Sequence, residues 1–265
     1  MMEVRSRNAT QKNFKMFHLE PKKIKSAALK LCYGLELETL EKNVRKCKIA
    51  HLGVLFSAKT HKPDTPFWAI VTERGSWQKQ VSLYLQKHLS VLDISDPFLV
   101  RNSQSVVEFL RKDVPGNAVA FSIDVEVLYY SINHEELFEA VRECIERNGV
   151  IGFRNACGVG VDGFLELLKF YLESTFILFE GRHYLQREGI CIGSCAAPVL
   201  CDNFLAKYNR ALQNALEGKP VTKLFKYVDD YLVILQNCEN HTVCEIVKYV
   251  MSLFKDRSRG PGVDP

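Results

Sequence analysis

Leu224-Phe225-Lys226-Tyr227-Val228-Asp229-Asp230-Tyr231-Leu232-Val233-Ile234-Leu235 holds the decisive pattern of this chain. Two apolar runs of β-forming residues flank one acidic pair, which predicts a β-hairpin with Asp229 and Asp230 at its tip. Adjacent carboxylates repel, and their simplest accommodation is an exposed turn where water screens them. The flanking Phe225, Tyr227, Val228, Tyr231, Leu232, Val233 and Ile234 would bury both strands, however, and so would anchor the acids at the edge of a core. Carboxylates fixed in such a place commonly serve a cation.

A third acid stands about a hundred residues upstream. Val119 to Ile123 is an apolar run that reads as a buried strand ending on Asp124, where an acid has no packing role. Taken alone, Asp124 fits a turn or a helix cap equally well. If its strand lies beside the 224–235 hairpin, three carboxylates converge on one patch of a sheet. Oxygen donors of this kind suit Mg²⁺, at roughly 2.0–2.1 Å. Two such ions about 3.5–4 Å apart suit an in-line phosphoryl displacement.

Elsewhere the sequence alternates between helical and strand signals without an internal repeat. Residues 1–50 carry helical signals, with Pro21 opening a lysine-rich run and Ala28, Leu31 and Leu35 forming an apolar set. From His51 to Gly75, two short strands joined by a proline turn fit best. Val81, Leu85, Leu89 and Leu92 predict a helix over 76–92, and Ser103 to Arg111 reads as another. Asn133 and Glu136 form a capping-box pattern ahead of a helix stopped by Gly149. A glycine-rich loop over 148–160 and a helix over about 162–173 follow. Phe176 to Phe179, Glu180-Gly181 and His183 to Leu185 spell a hairpin, and a helix is expected from Pro198 to about Leu216. Thr242 to Phe254 is amphipathic, and 256–265 reads as a frayed tail.

At 265 residues and 47% hydrophobic, the chain can bury a substantial core, which excludes a disordered or fibrous class. No apolar stretch is long enough to span a membrane, and Met1 to Glu20 does not resemble a signal peptide. The nine cysteines form no CxxC pair, so reduced thiols in an intracellular protein are expected, in nucleus or cytoplasm alike. Charge is uneven. Residues 1–62 hold 14 Lys/Arg against 5 Asp/Glu, while the whole chain is only +4. A basic front and an acidic back suit a protein that grips a polyanion with one part and cations with the other.

In this order, Asp124 at a strand end, the Gly193 to Pro198 segment and Tyr227-Val228-Asp229-Asp230 resemble the A, B and C motifs of reverse transcriptases. The wording is similar to that of Penelope-like retroelements: Thr60-His61-Lys62-Pro63, Asn102-Ser103 and the extended Gln186 to Pro198 segment carry the likeness, which covers roughly residues 52 to 255. The resemblance implies an α+β fold with fingers and palm, an antiparallel palm sheet backed by helices, and no thumb. It divides the chain into a basic helical segment (1–50), fingers (51–117), palm (118–255) and tail (256–265). The implied activity is RNA-directed DNA polymerization from a primer on an RNA or DNA template, with deoxynucleoside triphosphates. Asp124, Asp229 and Asp230 would hold two Mg²⁺ ions, or Mn²⁺ in their stead. Tyr129 falls where such enzymes place an aromatic gate under the sugar. Gly193 would let backbone approach the nucleotide or template, Lys59 and Lys62 would hold the triphosphate, and Tyr227 and Pro198 lie on the primer-template side.

The chain also departs from that pattern. Trp68 stands where Penelope-like polymerases usually carry arginine, and indole cannot replace a guanidinium fork on phosphate. Ile192 and Ala197 are milder departures. Two other readings therefore stay open: a truncated, inactive element remnant that binds nucleic acid, and an RNA-dependent RNA polymerase, against which Tyr129 speaks.

Overall fold

The computed structural model describes residues 14–236, except 19, 59, 61–66 and 127, together with 244–245, 247–248 and 262–264. In chain order it runs β1 (Phe14–Met16), α1 (Pro21–Gly34), α2 (Glu38–Lys46), β2 (Gly53–Ala58), β3 (Phe67–Thr72), α3 (Gln78–Leu89), α4 (Ser103–Lys112) and β4 (Val119–Glu126). Then follow α5 (Leu128–Ser131), α6 (His134–Asn148), α7 (Val150–Cys157), α8 (Val161–Glu173), β5 (Phe176–Phe179) and β6 (Arg182–Gln186). The last elements are α9 (Ala197–Ala215), β7 (Val221–Tyr227), β8 (Asp230–Leu235) and β9 (Gly262–Asp264). The fold is α+β, and its strand pairs are antiparallel throughout the named sheets.

The elements form two units, each built from two separate stretches of chain. The first takes 1–93 and 134–200, the second 94–133 and 201–265.

In the first unit, β2 and β3 make a two-stranded ribbon and β1-β6-β5 a three-stranded sheet. Glu180 (φ 49) and Gly181 (φ 72) both adopt positive φ at the β5–β6 turn, as a two-residue type I′ connection requires. The stripe at Val81, Leu85 and Leu89 on α3 is fully buried, and so are Phe164, Leu168 and Tyr171 on α8. Burying each such side chain contributes roughly 1.5–3 kcal/mol. Asn148 ends α6 by bonding the backbone of Asp93 in both directions at 2.9 Å.

The second unit is a four-stranded sheet in the order β7-β8-β4-β9. One face packs α4, through Phe109 against Phe225 edge to face at 5.4 Å, over the small core of Val100, Phe225 and Ile234. The other face carries Ile123, Val125, Leu224, Tyr231 and Val233, all buried.

Three expectations need correction. The segment 148–160 is not a loop: Gly149 (φ 100) and the left-handed Gly158 (φ 86) bracket the two-turn helix α7. Glycine here punctuates a short helix, as it does at any C-terminus that needs a left-handed residue. The strand ending at Asp124 runs on to Glu126, and it is buried on one side only, with the exposed Ser122 and Asp124 alternating with the buried Ile123 and Val125. The tail is not wholly frayed, because Gly262–Asp264 pairs with β4, placing Asp264 opposite Asp124. Most of the amphipathic stretch 242–254 lies outside the described residues, although 244–245 and 247–248 are helical. Among the described residues all cysteines are free, and no helix is long and apolar enough to cross a membrane.

Candidate active site

Strand alternation puts the acids where they are. In the β4–β8 pairing Ile123 faces Tyr231 and Asp124 faces Asp230. Ile123 and Tyr231 point into the core, so the next residue of each strand must point away from it. Asp124 and Asp230 are therefore directly opposed and exposed on the same face. Directly opposed side chains of an antiparallel pair stand roughly 4.5–5.5 Å apart at Cβ, and like charges there are destabilising. Asp229 occupies the turn beside them, half-buried, and its carbonyl accepts a bond from the Val125 N–H at 3.1 Å. That bond ties the hairpin tip to β4.

The tip itself is strained. Tyr227 pairs with Asp230, leaving Val228 and Asp229 as a two-residue loop. Val228 has φ 57, the first central position of a hairpin turn where glycine is favoured and a β-branched residue is an outlier. Its side chain is 38% exposed and so gains little from packing. Val228→Gly is expected to raise stability by roughly 1 kcal/mol, as relief of a left-handed residue would. Thermal unfolding reads this, and a lower melting temperature would refute it.

Tyr129 lies in α5, half-buried. Burial, and then Cys201, Asp229 and Asp202, push its phenol above the ordinary value, so it stays a neutral hydroxyl. Tyr129 is thus within electrostatic reach of Asp229 in the hairpin turn. Tyr227 is 63% exposed at the end of β7, free of the core.

The back of the hairpin holds a feature that sequence reasoning missed. Lys226 is fully buried, with its ammonium at 2.9 Å from both Asp96 Oδ2 and Asp202 Oδ1. Asn209 donates to both Asp96 carboxylate oxygens at 3.0 and 2.8 Å, and its own Oδ1 accepts from the Tyr231 hydroxyl at 2.8 Å. The Phe98 N–H adds a third donor to Asp96, at 3.0 Å. The Lys226 backbone is held as well, donating to Phe98 O at 2.7 Å and accepting from Val100 at 2.8 Å. A cation interrupting an apolar hairpin run was the available signal. Its acids lie 130 and 24 residues away, which spacing alone could not reveal.

The remaining candidates lie apart in the chain. Gly193 and Pro198 belong to the first unit, Pro198 as the second residue of α9. Gly193 has φ 102, and a Cβ there would stand 2.1 Å from the Val71 carbonyl oxygen. The segment is bonded to β3, with Val71 N–H donating to Ile192 O at 2.8 Å. Beneath it the buried Glu73 accepts from Ser82 Oγ at 2.6 Å, from Cys195 N at 3.2 Å and from the Tyr171 hydroxyl, which also meets Ser194 Oγ at 2.6 Å. Gly193 thus has a structural need for a bare Cα, whatever approaches the segment from outside. Lys59 and Lys62 lie outside the described residues, as does the side chain of Trp68.

Among the described residues, no three His, Cys, Asp or Glu side chains are already gathered closely enough to hold a metal ion. The donors nevertheless fit a hard cation. Asp124 and Asp230 offer only carboxylate oxygens, with no thiol or imidazole beside them in the pairing. Mg²⁺ commonly takes one or two protein carboxylates, water and substrate phosphate instead of a closed protein cage.

No protein-family model matches the chain, and no curated protein matches it. Solved structures do. An apo telomerase from Candida tropicalis superposes with TM-score 0.63 at 14% identity over 99% of this chain and 48% of that one. A telomerase from Candida albicans, in complex with a fragment of telomeric RNA, gives 0.62 at 12% identity, with coverages of 99% and 45%. A BmCPV RNA-dependent RNA polymerase in its quiescent state gives 0.53 at 12% identity, covering 99% of this chain and 24% of that one. The chain spans about half the length of the telomerase chains it matches. At these identities the likeness is one of fold, and the fold of this chain is the fingers-and-palm arrangement of template-directed nucleic-acid polymerases.

Proposed function

We propose that the chain is the fingers-and-palm region of a retrotransposon reverse transcriptase of the Penelope-like kind, extending a primer 3′-hydroxyl with deoxynucleotides along an RNA template. One observation carries the reading: Asp124 and Asp230 are exposed, directly opposed across strands, with Asp229 next to them in the turn. Such an arrangement costs folding energy, which a bound cation would offset. Two Mg²⁺ ions, when bound, would stabilise the attacking and leaving oxygens of an in-line displacement. Asp124, Asp229 and Asp230 would hold them. Tyr129 keeps its proton and, within electrostatic reach of Asp229, offers a neutral ring suited to lie under a deoxyribose and exclude a 2′-hydroxyl. Tyr227, exposed at the strand end, faces the primer side, and Lys59 and Lys62 would meet the triphosphate.

Primer extension on an RNA template tests this. Mg²⁺-dependent incorporation is expected, and Asp230→Asn or Asp124→Asn should lower it at least about a hundredfold, the scale on which one electrostatic stabiliser of a transition state acts. The same substitutions should raise stability in metal-free buffer by roughly 0.2–1 kcal/mol, because they remove a like-charge pair. Mg²⁺ should raise the melting temperature of the wild type and not of the variants. Incorporation that survives either substitution places the chemistry elsewhere. Trp68, in place of the arginine of Penelope-like polymerases, favours a second reading in which the chain binds nucleic acid without catalysis; salt-dependent binding that persists while extension stays undetectable even after Trp68→Arg and addition of a thumb would support it.

A further inference from the structure

The face of α1 that the core does not use is both basic and aromatic. The helix holds four lysines and no acid, with Pro21 in its first turn and Ala28 and Cys32 buried. At 100° per residue, Lys22, Tyr33, Ser26, Lys30, Lys23 and Ala27 fall within an arc of about 140°, and all six are exposed. Ala28 and Cys32 lie on the opposite side. Lys25, off this arc, is turned inward to the carbonyls of Arg45 and Cys47 and takes no part. Lys22, Lys23, Ser26, Ala27 and Lys30 line a shallow hollow of about 340 Å³.

Tyr33 is 78% exposed, the joint highest value among the large exposed hydrophobic side chains described, and Glu36 and Glu38 follow it as the first acids beyond the helix. From Lys22 to Tyr33 the helix rises about 16 Å. Among the described residues only Lys23 of these lysines has an acidic partner, Glu20 at 3.1 Å, and that pair is exposed on both sides, so it is weak enough to exchange for phosphate.

We propose that this face is a track for single-stranded nucleic acid, with Lys22, Lys23 and Lys30 on successive phosphates and Tyr33 stacked on an unpaired base. The charge selects a polyanion. The aromatic selects a single strand, because a duplex keeps its base faces inside the stack. An anionic membrane fits less well, since the arc offers no aliphatic side chain larger than alanine to enter lipid. The inference rests on the polymerase reading and adds to it a surface for the template strand outside the carboxylate site.

The test is equilibrium binding of the whole chain to a fluorescein-labelled, unstructured 20-nucleotide RNA in EDTA, without nucleotide, across a salt series. The triple variant Lys22→Gln, Lys23→Gln, Lys30→Gln should bind more weakly, with a log–log salt slope shallower by about 2, from roughly 0.7 per phosphate contact on a single strand. Tyr33→Ala should lose about tenfold in affinity at unchanged slope, and Tyr33→Phe should keep it. Circular dichroism of each variant should match the wild type, since the side chains are exposed. Unchanged affinity and slope in the triple variant overturn the track. So does wild-type binding to phosphatidylserine vesicles with none to RNA. Asp230→Asn should not weaken RNA binding. Extension that ignores Asp230 therefore sinks the polymerase site while the track is still decided by binding alone.

Discussion

Gly193→Ala is expected to cost the fold more than 4 kcal/mol, or to leave the first unit unable to form its native structure. A methyl group at this position would sit 2.1 Å from the Val71 carbonyl oxygen and 3.3 Å from its carbon, both backbone atoms that cannot swing aside. The backbone conformation adds to the clash, since φ 102 is a region that L side chains rarely adopt. Relief requires the 191–195 segment to move off β3. That would break the 2.8 Å bond between Val71 N–H and Ile192 O and pull the Cys195 N–H from the buried Glu73 carboxylate. Glu73 is 3% exposed, and a buried carboxylate that loses a donor bears a further desolvation penalty. Effects above 4–5 kcal/mol come from few mechanisms, and steric conflict joined to a broken buried hydrogen-bond network combines two of them. Urea unfolding measures the loss, and faster hydrogen exchange at the Val71 amide locates it. A loss under about 1 kcal/mol would show that the loop does not lie against β3 in this way.

Lys226→Met is expected to destabilise the second unit by about 3–5 kcal/mol, the usual range for removing one partner of a buried ion pair. Methionine fills much of the volume, so the loss reports charge more than cavity. Asp96, whose side chain is fully buried, would keep its bonds from Asn209 and Phe98 but lose its only cation among the described residues. Asp202 is 28% exposed at its side chain and can recover water, so most of the penalty falls on Asp96. Adding Asp96→Asn to Lys226→Met should restore a large part of the loss, because the uncompensated charge is then gone. The coupling between the two substitutions is the readout. Additive losses would mean that the two groups do not sense one another. Lys226 adjoins Tyr227 at the base of the acidic tip, so the single variant should also loosen the tip and, on the proposed function, lower primer extension even at temperatures where it stays folded.

The parts of the fold that the sequence showed are those built from local pattern. The hairpin of β7 and β8, the β2–β3 ribbon, the buried stripe of α3 and the β5–β6 turn at Glu180-Gly181 all depend on residues within about twenty positions of one another. Asp124 was legible as a strand-end acid, and its position opposite Asp230 follows once the strands pair, since alternation fixes which face each carboxylate takes. What was hidden depends on distant partners. β1 is three residues long and owes its conformation to β6, some 170 positions on. Lys226 drew no reading of its own, because neither Asp96 nor Asp202 is near it in sequence. α7 was obscured by its own boundaries, for the glycines that cap a short helix are the same residues that mark a loop. The one-sided burial of β4 had a different cause: Phe121 and Ala120 suggested a strand covered on both faces, whereas the exposed face is the one that carries the acid.

The pairing of β4 with β8 has a consequence for synthesis. β4 leaves the ribosome about a hundred residues before the strand that covers its edge. At 5–20 residues per second, that bare edge waits roughly 5 to 20 seconds for its partner. Meanwhile the stretch from 134 to 200, which completes the first unit, emerges between the two halves of the second. An unpaired edge is a template for the wrong neighbour, so crowded translation of this chain invites misassembly at β4 and makes it the natural point for a chaperone to guard.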